Sequence, residues 1–529
     1  MFDLIIKNGQ CYGGDGAEPF AADIGVRGGR IAAIGGLGGA QALRVIDAAG
    51  LAVSPGFIDT HSHSDLVALA EPEIANKTTQ GITTDIIGQD GMSPAPVTDG
   101  TVQAWSRSMA GLEGSYNVDW SWRSPADYLK RLDAQPLGPN LAWLAPYGNL
   151  RMCVLGLENR RSTKSEIGKM MDLLEESIDA GACGMSTGLV YPPGSYADEA
   201  EMGEVTKVLA KYGLPFVVHQ RSESDYILDS MDEVFRVGRA SGCPIHFSHF
   251  KVGGVNNAPL FDQVIAKVEA AAREMPVSFD QYPYTAGSTM LGVILPLWAH
   301  DGGSGKCLER LASRTDREKM KKDILSGLPG WDNFIGYSGI ENIYVTFVKY
   351  EKNRDAIGKN LVQLGEMRGL DPMDAAFDLL LEEEMTVGMY HFYGTEEHIE
   401  RIMAHPLQNA CTDGILGVMP HPRVYGAFPR ILGHYVRERK IMPLKTAIHK
   451  MSGRQASIFK LKDRGLLKDG YVADITVFDP ETVADRATYE NPRQFSAGIP
   501  YVIVGGRAVV DSGRPVPGKA GIVIRFSKY

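Results

Sequence analysis

Strand-like and helix-like segments alternate along most of this 529-residue chain. The strand candidates are short apolar runs bounded by glycine, proline and polar residues, at 53–59, 83–88, 141–146, 182–187, 215–219, 244–249, 277–282 and 407–412. The clearest helix candidates between them lie at 164–180, 199–212, 227–241 and 261–274. Eight strands in a strand-then-helix rhythm are typical of a closed parallel barrel rather than an open sheet. The sequence therefore predicts an α/β protein built on a (β/α)8 TIM-type barrel over residues 54–463.

The alternation fails between the seventh and eighth predicted strands. The gap after residue 295 is too long for one helix, and it contains a glycine-rich run at 301–305 and a strand-like run at 344–348. We expect an inserted subdomain over residues 296–394 at the mouth of the barrel. Insertions there often cover an active site, because binding residues concentrate on loops that a rigid scaffold positions.

Both ends of the chain have the character of β structure. Short strand-like runs separated by glycine-rich turns occupy 3–7, 23–26 and 30–34, and similar runs return at 473–478, 501–504 and 507–510. Neither end could bury much surface alone, because a few isolated strands are marginally stable in water. We therefore expect residues 1–53 and 464–529 to pack together as one small β-sandwich outside the barrel.

Charge and composition narrow the range of partners. The formal net charge of −10 argues against nucleic acid or an anionic membrane as the natural partner. No apolar run is long enough to cross a bilayer, and residues 1–10 lack the charged start and apolar core of a signal peptide. The six cysteines show no pairing or metal-knuckle spacing, which favours reduced thiols. We expect a cytoplasmic protein that binds a small-molecule substrate.

Histidine and aspartate residues mark the ends of the predicted strands. In a parallel barrel, chemistry is located at the edge where the strands end. Alternate residues of a strand point the same way, so the imidazoles of His61 and His63 project together from the first strand. Only 12 histidines occur in the chain, and four at one predicted rim favour a metal site over ordinary core histidines. The candidate metal ligands are His61, His63, Asp90, His219, His249 and Asp413.

These residue types suit a catalytic divalent metal. Neutral imidazoles are ligands for zinc and similar ions, and the carboxylate of Asp90 adds an anionic oxygen that could bridge two of them. Stabilising a turn is the alternative role for Asp90, because Gly91 follows it. A bound metal lowers the pKa of a water molecule to about 7. Asp413 would accept the proton of that water and pass it to the leaving group, as a general base and acid.

Seven phrases of the sequence extend this pattern: PGFIDTHSHSD, KTTQGITTDIIGQDGMSPAP, STGLVYPPG, HFSHFK, DQYPYTAGST, CTDG and HPRVYGAFPRILGHYVRE. They span nearly the whole predicted barrel. Through them the chain resembles the amidohydrolase superfamily, and within it the N-acyl-D-amino-acid deacylases (D-aminoacylases). The resemblance implies a zinc-dependent hydrolase that cleaves the amide bond of an N-acylated D-amino acid, and the D stereochemistry rests on it alone.

The chain departs from that family at one position. The family usually presents a cysteine thiolate where this chain has Asp90. Oxygen is a harder ligand than sulfur, so the site should prefer zinc less strongly and should also accept manganese or cobalt. We expect one or two metal ions.

A deacylase must also hold the carboxylate of the amino acid, which calls for a cation and hydroxyl donors near the metal. Lys251 lies two residues after His249 on the same strand face and offers the cation, with a solvated rim charge as the alternative. The resemblance adds Tyr191, Tyr282 and Ser288, which match positions that similar enzymes use for this carboxylate. Packing is the alternative role for the tyrosines.

Other residues near the rim bear on specificity. We interpret Arg221, Glu223 and Arg423 as salt-bridged scaffold. Residues 290–295 contain no basic side chain, whereas members of the family that act on acidic substrates carry an arginine there. The segment therefore favours a substrate with a neutral or apolar side chain.

Three alternatives remain open. Hydantoinase-type cyclic amidases hold two metals through a lysine at the end of strand four, and residues 182–188 contain no lysine. Deaminases with this barrel place a glutamate close behind the strand-five histidine, as Glu223 lies close to His219. A catalytically inactive scaffold relative would typically have lost metal ligands or the aspartate, whereas all six positions here carry competent side chains.

Overall fold

The computed structural model describes residues 1–528 as a mixed α/β structure. Its central strands, numbered first to eighth in chain order, are Phe57–Asp59 continued by Ser62–His63, Ile82–Ile87, Asn140–Trp143 continued by Ala145–Pro146, Met185–Gly188, Phe216–His219, Ile245–Phe247, Val277–Gln281 and Gln408–Ala410. Neighbouring strands in this series pair in parallel. The short strand Gly414–Ile415, which follows the eighth strand, pairs in parallel with Ser62–His63 at the end of the first strand. All of these strands therefore end at one edge.

Helices connect most of the central strands. Those outside the insertion are Val67–Ala70, Ala75–Thr78, Val102–Glu113, Pro125–Asp133, Tyr147–Leu155, Lys164–Ala180, Glu199–Val205, Lys207–Ala210, Ile227–Ser241, Phe261–Ala272, Glu396–Ala404, Arg423–Arg430, Ile431–Glu438 (a π-helix), Leu444–Met451 and Gly453–Ile458. In Lys164–Ala180, Thr163 and Glu166 form a reciprocal capping box, and Met170 and Leu174 lie one turn apart on the buried face. Among residues 1–528, no helix combines the length and the apolar character needed to cross a membrane.

The predicted helix 199–212 is two shorter helices, Glu199–Val205 and Lys207–Ala210. The hydroxyl of Thr206 at the junction donates to the carbonyl oxygen of Met202 at 2.8 Å. Such a bond competes with the regular helical hydrogen bonds and often bends a helix.

The predicted strand 53–59 is also two elements, which belong to different sheets. Ala52–Pro55 pairs antiparallel with a C-terminal strand, and Phe57–Asp59 pairs in parallel with the second central strand. Gly56 separates them, and a Cβ atom there would lie 2.2 Å from Thr83 Oγ1. The prediction of one strand was wrong because the chain changes sheets at a position where only glycine fits.

Both ends of the chain contribute to one nine-stranded sheet. Its strands are Phe2–Cys11, Phe20–Arg27, Arg30–Gly35, Ala42–Asp47, Ala52–Pro55, Ile475–Phe478, Tyr501–Val504, Arg507–Asp511 and Arg514–Pro515. The two ends meet where Ala52–Pro55 pairs antiparallel with Ile475–Phe478. Val523–Ile524 lies outside this sheet and pairs in parallel with Asn140–Trp143, a contact that the sequence did not predict.

A three-stranded antiparallel sheet lies between the seventh and eighth central strands along the chain. Its strand order is Ala286–Met290, Val387–Phe392 and Ile343–Val348, and the first of these precedes the predicted start of the insertion at residue 296. The accompanying helices are Ser304–Ala312, Arg314–Ser326, Phe334–Ser338, Leu361–Arg368 and Pro372–Glu382. His391 of this sheet lines the same cavity as His219 at the end of the fifth central strand. The insertion thus contributes to the walls above the strand ends.

Candidate metal centre and substrate cavity

The histidines that end the central strands converge on Asp90. Its Oδ1 lies 3.5 Å from His61 Nε2 and 3.6 Å from His249 Nε2. Its Oδ2 lies 3.6 Å from His63 Nε2 and 3.5 Å from His219 Nδ1, and all five residues are buried. Burial raises the pKa of the Asp90 carboxyl, but the imidazoles outweigh it and hold the pKa well below its usual value. Parallel strand pairing brings together residues that are far apart in the chain.

Asp413 completes this cluster. Its Oδ1 lies 3.4 Å from His63 Nε2 and 3.7 Å from His61 Nε2, and its Oδ2 lies 2.8 Å from Arg423 Nη1. The backbone N–H of Asp413 donates to the carbonyl oxygen of His61 at 2.8 Å. Burial raises the pKa of the Asp413 carboxyl, but the guanidinium of Arg423 and the imidazoles outweigh it and hold that pKa far below its usual value. Asp413 is therefore a carboxylate at neutral pH.

Three residues of the cluster have left-handed backbone conformations. The φ angle is 55° at Asp90, 34° at His249 and 48° at Asp413. Residues other than glycine rarely adopt such angles, and these conformations concentrate at functional sites, where the surrounding structure must hold them in place. Each of the three residues follows the end of a central strand. Its side chain therefore does not have to point in the direction that the alternation of side chains along the strand would give it.

Asp280 supports His249 from the seventh central strand. Its Oδ1 accepts a hydrogen bond from the backbone N–H of His249 at 2.5 Å, and its Oδ2 accepts one from Thr60 Oγ1 at 2.8 Å and lies 3.0 Å from His246 Nε2. Burial raises the pKa of Asp280, but the His246 ring outweighs it and lowers the pKa to about 2. The sequence assigned no role to Asp280, and its one signal was its place in the DQYPYTAGST phrase.

Lys77 is a second supporting residue that the sequence did not reveal. Its buried ammonium donates to Asp59 Oδ2 at 2.5 Å and to Thr412 Oγ1 at 2.6 Å. Asp59 Oδ1 accepts hydrogen bonds from the backbone N–H groups of Thr412 at 2.8 Å and His61 at 3.3 Å. This network joins the end of the first central strand to the segment that carries Asp413.

The donor set fits a divalent metal ion. Both ring nitrogens of His61 and of His219, and Oδ1 of Asp90, are buried without a hydrogen-bond partner. Buried polar atoms without partners are energetically costly, so several at one place indicate a cation that would bind them. Three groups of residues each bring their ligand atoms within 4.8 Å of one another: His61 with His63 and Asp413, His61 with Asp90 and His249, and His219 with Glu223 and His249.

One cavity beside the cluster is lined by all four residues predicted to hold the substrate carboxylate, Lys251, Tyr191, Tyr282 and Ser288. The Nζ atom of Lys251 lies 5.8 Å from the ring centroid of Tyr282. Ser288 Oγ donates to a backbone carbonyl at 2.8 Å, and the hydroxyl groups of Tyr191 and Thr289 share a hydrogen bond of 2.7 Å. Burial raises the pKa of both tyrosines well above its usual value, so both are neutral. Their role in binding stays a prediction.

The three charged residues interpreted as scaffold differ in their surroundings. Arg221 pairs with Glu233 at 2.8 Å and donates hydrogen bonds to the backbone carbonyl oxygens of Ser195 at 2.7 Å and Ala197 at 2.9 Å. Arg423 is completely buried beside the cluster. Glu223 binds the ammonium of Lys251 through both carboxylate oxygens, at 2.8 and 2.7 Å. Arg423 and Glu223 therefore belong to the site itself.

A second, mainly apolar cavity adjoins the first at Tyr191, which lines both. Met290 of the segment 290–295 lines this second cavity. It directly follows Thr289, which lines the first. Arg107 also lines the second cavity, and its side chain is exposed. Its apolar lining side chains include Met92, Leu157, Val190, Val293, Leu295 and Leu297.

The chain matches a known family over most of its length. The sequence profile of the amidohydrolase family matches residues 44–289 and 347–510. The chain belongs to this family. This amidohydrolase is 36% identical over 509 residues to D-aminoacylase of Alcaligenes xylosoxydans xylosoxydans, a match that covers 96% of this chain and 94% of that protein.

Solved structures of similar proteins agree with that assignment. The amidohydrolase is similar to N-acyl-D-glutamate deacylase from Bordetella bronchiseptica, solved with zinc and a phosphonate inhibitor that mimics the tetrahedral intermediate. The TM-score is 0.85 at 33% sequence identity, over 99% of this chain and 100% of that one. A D-aminoacylase described as having a binuclear metal centre gives a TM-score of 0.83 at 34% identity, with the same coverage of 99% and 100%. This amidohydrolase therefore shares its mixed α/β architecture with both proteins over 99% of its chain.

Proposed function

We propose that this amidohydrolase cleaves the amide bond of N-acyl-D-amino acids and releases a carboxylic acid and a free D-amino acid. The observation that carries the proposal is the convergence of four imidazoles and two carboxylates beside a cavity that contains Lys251. Hydrolysis of such an amide needs a centre that activates water and a cation that holds the substrate carboxylate. The similarity to D-aminoacylase and to N-acyl-D-glutamate deacylase supports this substrate class.

The proposal locates the active centre at the mouth of a closed (β/α)8 barrel over residues 54–463. The parallel pairing of Gly414–Ile415 with Ser62–His63 supports closure of the barrel. One hydrophobic cluster supports it further, since it collects side chains from the first five strands or their ends: Ile58, Ile86, Leu144, Cys183 and Val217. Small barrels fill their interior with side chains in this way.

Outside the barrel we propose a β-sandwich built from residues 1–53 and 464–529, and an insertion over residues 296–394. Ile24, Val53, Ile475 and Ile503 come from both ends of the chain and share one hydrophobic cluster. A nine-stranded sheet that curls over such a shared cluster would form two packed layers.

The metal ligands in this proposal are His61, His63, Asp90, His219, His249 and Asp413. They would hold one or two ions, with zinc as the first choice and with manganese or cobalt accepted through the carboxylate of Asp90. A bound ion would act as a Lewis acid that polarises the amide carbonyl and activates water. The zinc in the structure of the N-acyl-D-glutamate deacylase supports this choice of metal.

Asp413 would carry out the proton transfers. As a carboxylate it can accept a proton from the attacking water, and it can then return that proton to the nitrogen of the leaving amino acid. Arg423 Nη1 lies 2.8 Å from one carboxylate oxygen and His63 Nε2 lies 3.4 Å from the other, so the carboxylate is held from both sides. This orientation would let one residue act in both steps.

Lys251 would bind the substrate carboxylate, helped by the hydroxyl groups of Tyr191, Tyr282 and Ser288. A charged donor near a carboxylate makes a stronger hydrogen bond than a neutral one. The hydroxyl of Tyr191 keeps its own proton for a substrate when it accepts the hydrogen bond shared with Thr289. Location in one cavity is the observation that supports this assignment.

The apolar cavity would receive the side chain of the amino acid. It adjoins the metal-side cavity at Tyr191, and its lining is mainly apolar, which favours leucine-like or phenylalanine-like substrates over acidic ones. The exposed guanidinium of Arg107 is the lining group that would instead attract an acidic side chain.

A substrate panel tests the proposed function. Purified zinc-loaded protein is incubated with N-acetyl-D-leucine, N-acetyl-L-leucine and N-acetyl-D-glutamate, and release of the free amino acid is measured. We expect N-acetyl-D-leucine to react fastest and its L enantiomer to remain intact. Faster cleavage of N-acetyl-D-glutamate would reverse the side-chain preference.

Parallel assays separate the alternative reactions. Ring opening of a hydantoin would indicate a cyclic amidase, and ammonia release from an aminopurine or a cytosine would indicate a deaminase. Protein that holds no metal even after zinc is supplied, and that shows none of these reactions, would indicate a catalytically inactive scaffold.

A further inference from the structure

Glu223 faces two of the predicted metal histidines from the side that Asp90 does not occupy. His249 presents Nε2 to Asp90 at 3.6 Å and Nδ1 to Glu223 at 3.1 Å. His219 presents Nδ1 to Asp90 at 3.5 Å and Nε2 to Glu223 at 3.9 Å. Each imidazole therefore has one nitrogen directed to Asp90 and the other directed to Glu223.

We propose that Glu223 is a positioning residue that fixes the tautomer and the orientation of His249, to which it lies within hydrogen-bond distance, and so sets the metal affinity of the centre. A histidine that binds a metal through one nitrogen carries its proton on the other, and a carboxylate that accepts this proton orients the ring. The inference rests on the metal centre of the proposed function, in which the nitrogens directed to Asp90 bind the metal.

Lys251 competes with Glu223 for His249. The Nζ atom of Lys251 lies 2.6 Å from His249 Nδ1, and an ammonium group can only donate. Donation from Lys251 would leave the proton of His249 on Nε2, and that nitrogen could not bind a metal. Glu223 opposes this arrangement, because it holds the ammonium with both oxygens at 2.8 and 2.7 Å and offers Nδ1 an acceptor at 3.1 Å.

The same contacts distinguish a supporting role from direct ligation. Glu223 has an oxygen within ligand distance of the nitrogens of His219 and His249. Both of its oxygens are, however, engaged by the ammonium of Lys251 in a charge-assisted pair. We therefore place Glu223 behind the histidines and outside the ligand set.

The insertion holds Glu223 in position through Asp332. Asp332 Oδ2 accepts a hydrogen bond from the backbone N–H of Glu223 at 2.8 Å. Asp332 Oδ1 accepts hydrogen bonds from the hydroxyl groups of Ser222 at 2.5 Å and Ser224 at 2.6 Å. Asp332 is buried. One carboxylate of the insertion thus anchors the loop after the fifth central strand.

The variant Glu223→Gln tests the inference by zinc binding. Full-length protein is stripped of metal, and its zinc dissociation constant is measured by competition with a chromophoric chelator. We expect about 10- to 100-fold weaker binding, the usual effect of losing such support. Imidazole ¹⁵N spectra of the zinc-loaded protein should show an altered tautomer signal for His249. Lys251→Met removes the competitor and should bind zinc at least as tightly as the wild type.

Glu233→Gln is the matched control, because Glu233 pairs with Arg221 and touches none of the histidines. Any of three results would overturn the inference. Zinc binding could be less than tenfold weaker in Glu223→Gln than in the wild type, equally weakened in Glu233→Gln, or tenfold weaker in Lys251→Met. A lower zinc stoichiometry at saturation in Glu223→Gln would also overturn it, because that result would make Glu223 a ligand. If Glu223→Gln does not fold, Asp332→Asn applies the same criteria through the loop. Wild-type protein that binds zinc but cleaves no N-acyl-D-amino acid would refute the proposed function and not this inference.

Discussion

At the scale of single residues, Asp413 has the most demanding position in the site. It contacts two imidazoles through one oxygen and a completely buried guanidinium through the other. Removing one partner of such a buried pair leaves an uncompensated charge, so any change at Asp413 affects Arg423 as well. A test of the proton-transfer role must therefore separate catalysis from folding.

We expect Asp413→Asn to lower kcat by about 10²- to 10⁴-fold, the usual contribution of a general acid–base group. The amide keeps the shape of the carboxylate but cannot accept the proton. The measurement is amino acid release at saturating zinc, together with a melting curve that verifies folding. Asp133→Asn, which removes an exposed carboxylate paired with Arg525, is the control and should keep wild-type activity. Activity of Asp413→Asn within tenfold of the wild type would remove Asp413 from this role.

Asp90 tests the ligand set in a different way. Asp90→Ala should lose most of its bound metal, because four imidazoles contact this carboxylate at 3.5 to 3.6 Å. Asp90→Cys should shift preference from manganese toward zinc, since a thiolate is a softer ligand. Metal content after equilibration with equal zinc and manganese is the measurement. Unchanged content in Asp90→Ala would refute the assignment of Asp90 as a ligand.

At the scale of elements, the sheet of the insertion is held to the site by buried polar groups. His391 of strand Val387–Phe392 lines the metal-side cavity, and its Nδ1 lies 2.9 Å from the hydroxyl of Ser338. Burial, then Lys251 and Arg423, lower the pKa of His391 from 6.5 to about 3. The folded protein therefore keeps this ring neutral, whereas the unfolded chain protonates it below about pH 6.5.

This difference predicts acid-sensitive stability. Between about pH 6.5 and pH 3 the unfolded chain binds more protons at His391 than the folded protein does. The contribution of the neutral His391 ring to the free energy of unfolding is therefore complete above that range and falls as the pH drops through it. At about pH 5 the loss should be about 2 kcal/mol. Urea midpoints at about pH 7.5 and pH 5 should differ less in His391→Gln than in the wild type. His434→Gln, at a partly exposed histidine, should keep the wild-type difference. An unchanged difference in His391→Gln would contradict the argument.

The sequence predicted those features of the strands and helices that depend only on residues close together in the chain. Residues two apart on a strand share a face, which placed His61 beside His63, and both lie in one cluster. The α/β class is confirmed, and the helix predicted over residues 164–180 has those bounds in the structure. The boundary at Gly56 was missed because it depends on the approach of Thr83 from another strand.

Other features of the site had no local signal. The left-handed backbone of Asp90, His249 and Asp413 follows from the contacts that surround each strand end, and no spacing encodes it. Lys77 reads as an ordinary surface lysine until long-range pairing places Asp59 and Thr412 around it. A supporting residue of this kind becomes visible only when the strands are assembled.

At the scale of the whole molecule, residues from many parts of the chain depend on one arrangement of strands. The terminal sheet joins both ends, and Val523–Ile524 pairs with the third central strand. The insertion reaches back through Asp332 to the loop after the fifth strand. The six predicted ligands meet at one edge of this arrangement, and the account depends on that edge binding a metal and using it for hydrolysis.

Zinc titration of metal-free protein tests this most directly. Zinc is added in stepwise equivalents, and bound metal and release of D-leucine from N-acetyl-D-leucine are measured in the same samples. The account predicts no hydrolysis without metal and a rise in activity that follows the first tightly bound equivalent. Equal hydrolysis by the metal-free protein, or tight zinc binding that never produces hydrolysis, would contradict it.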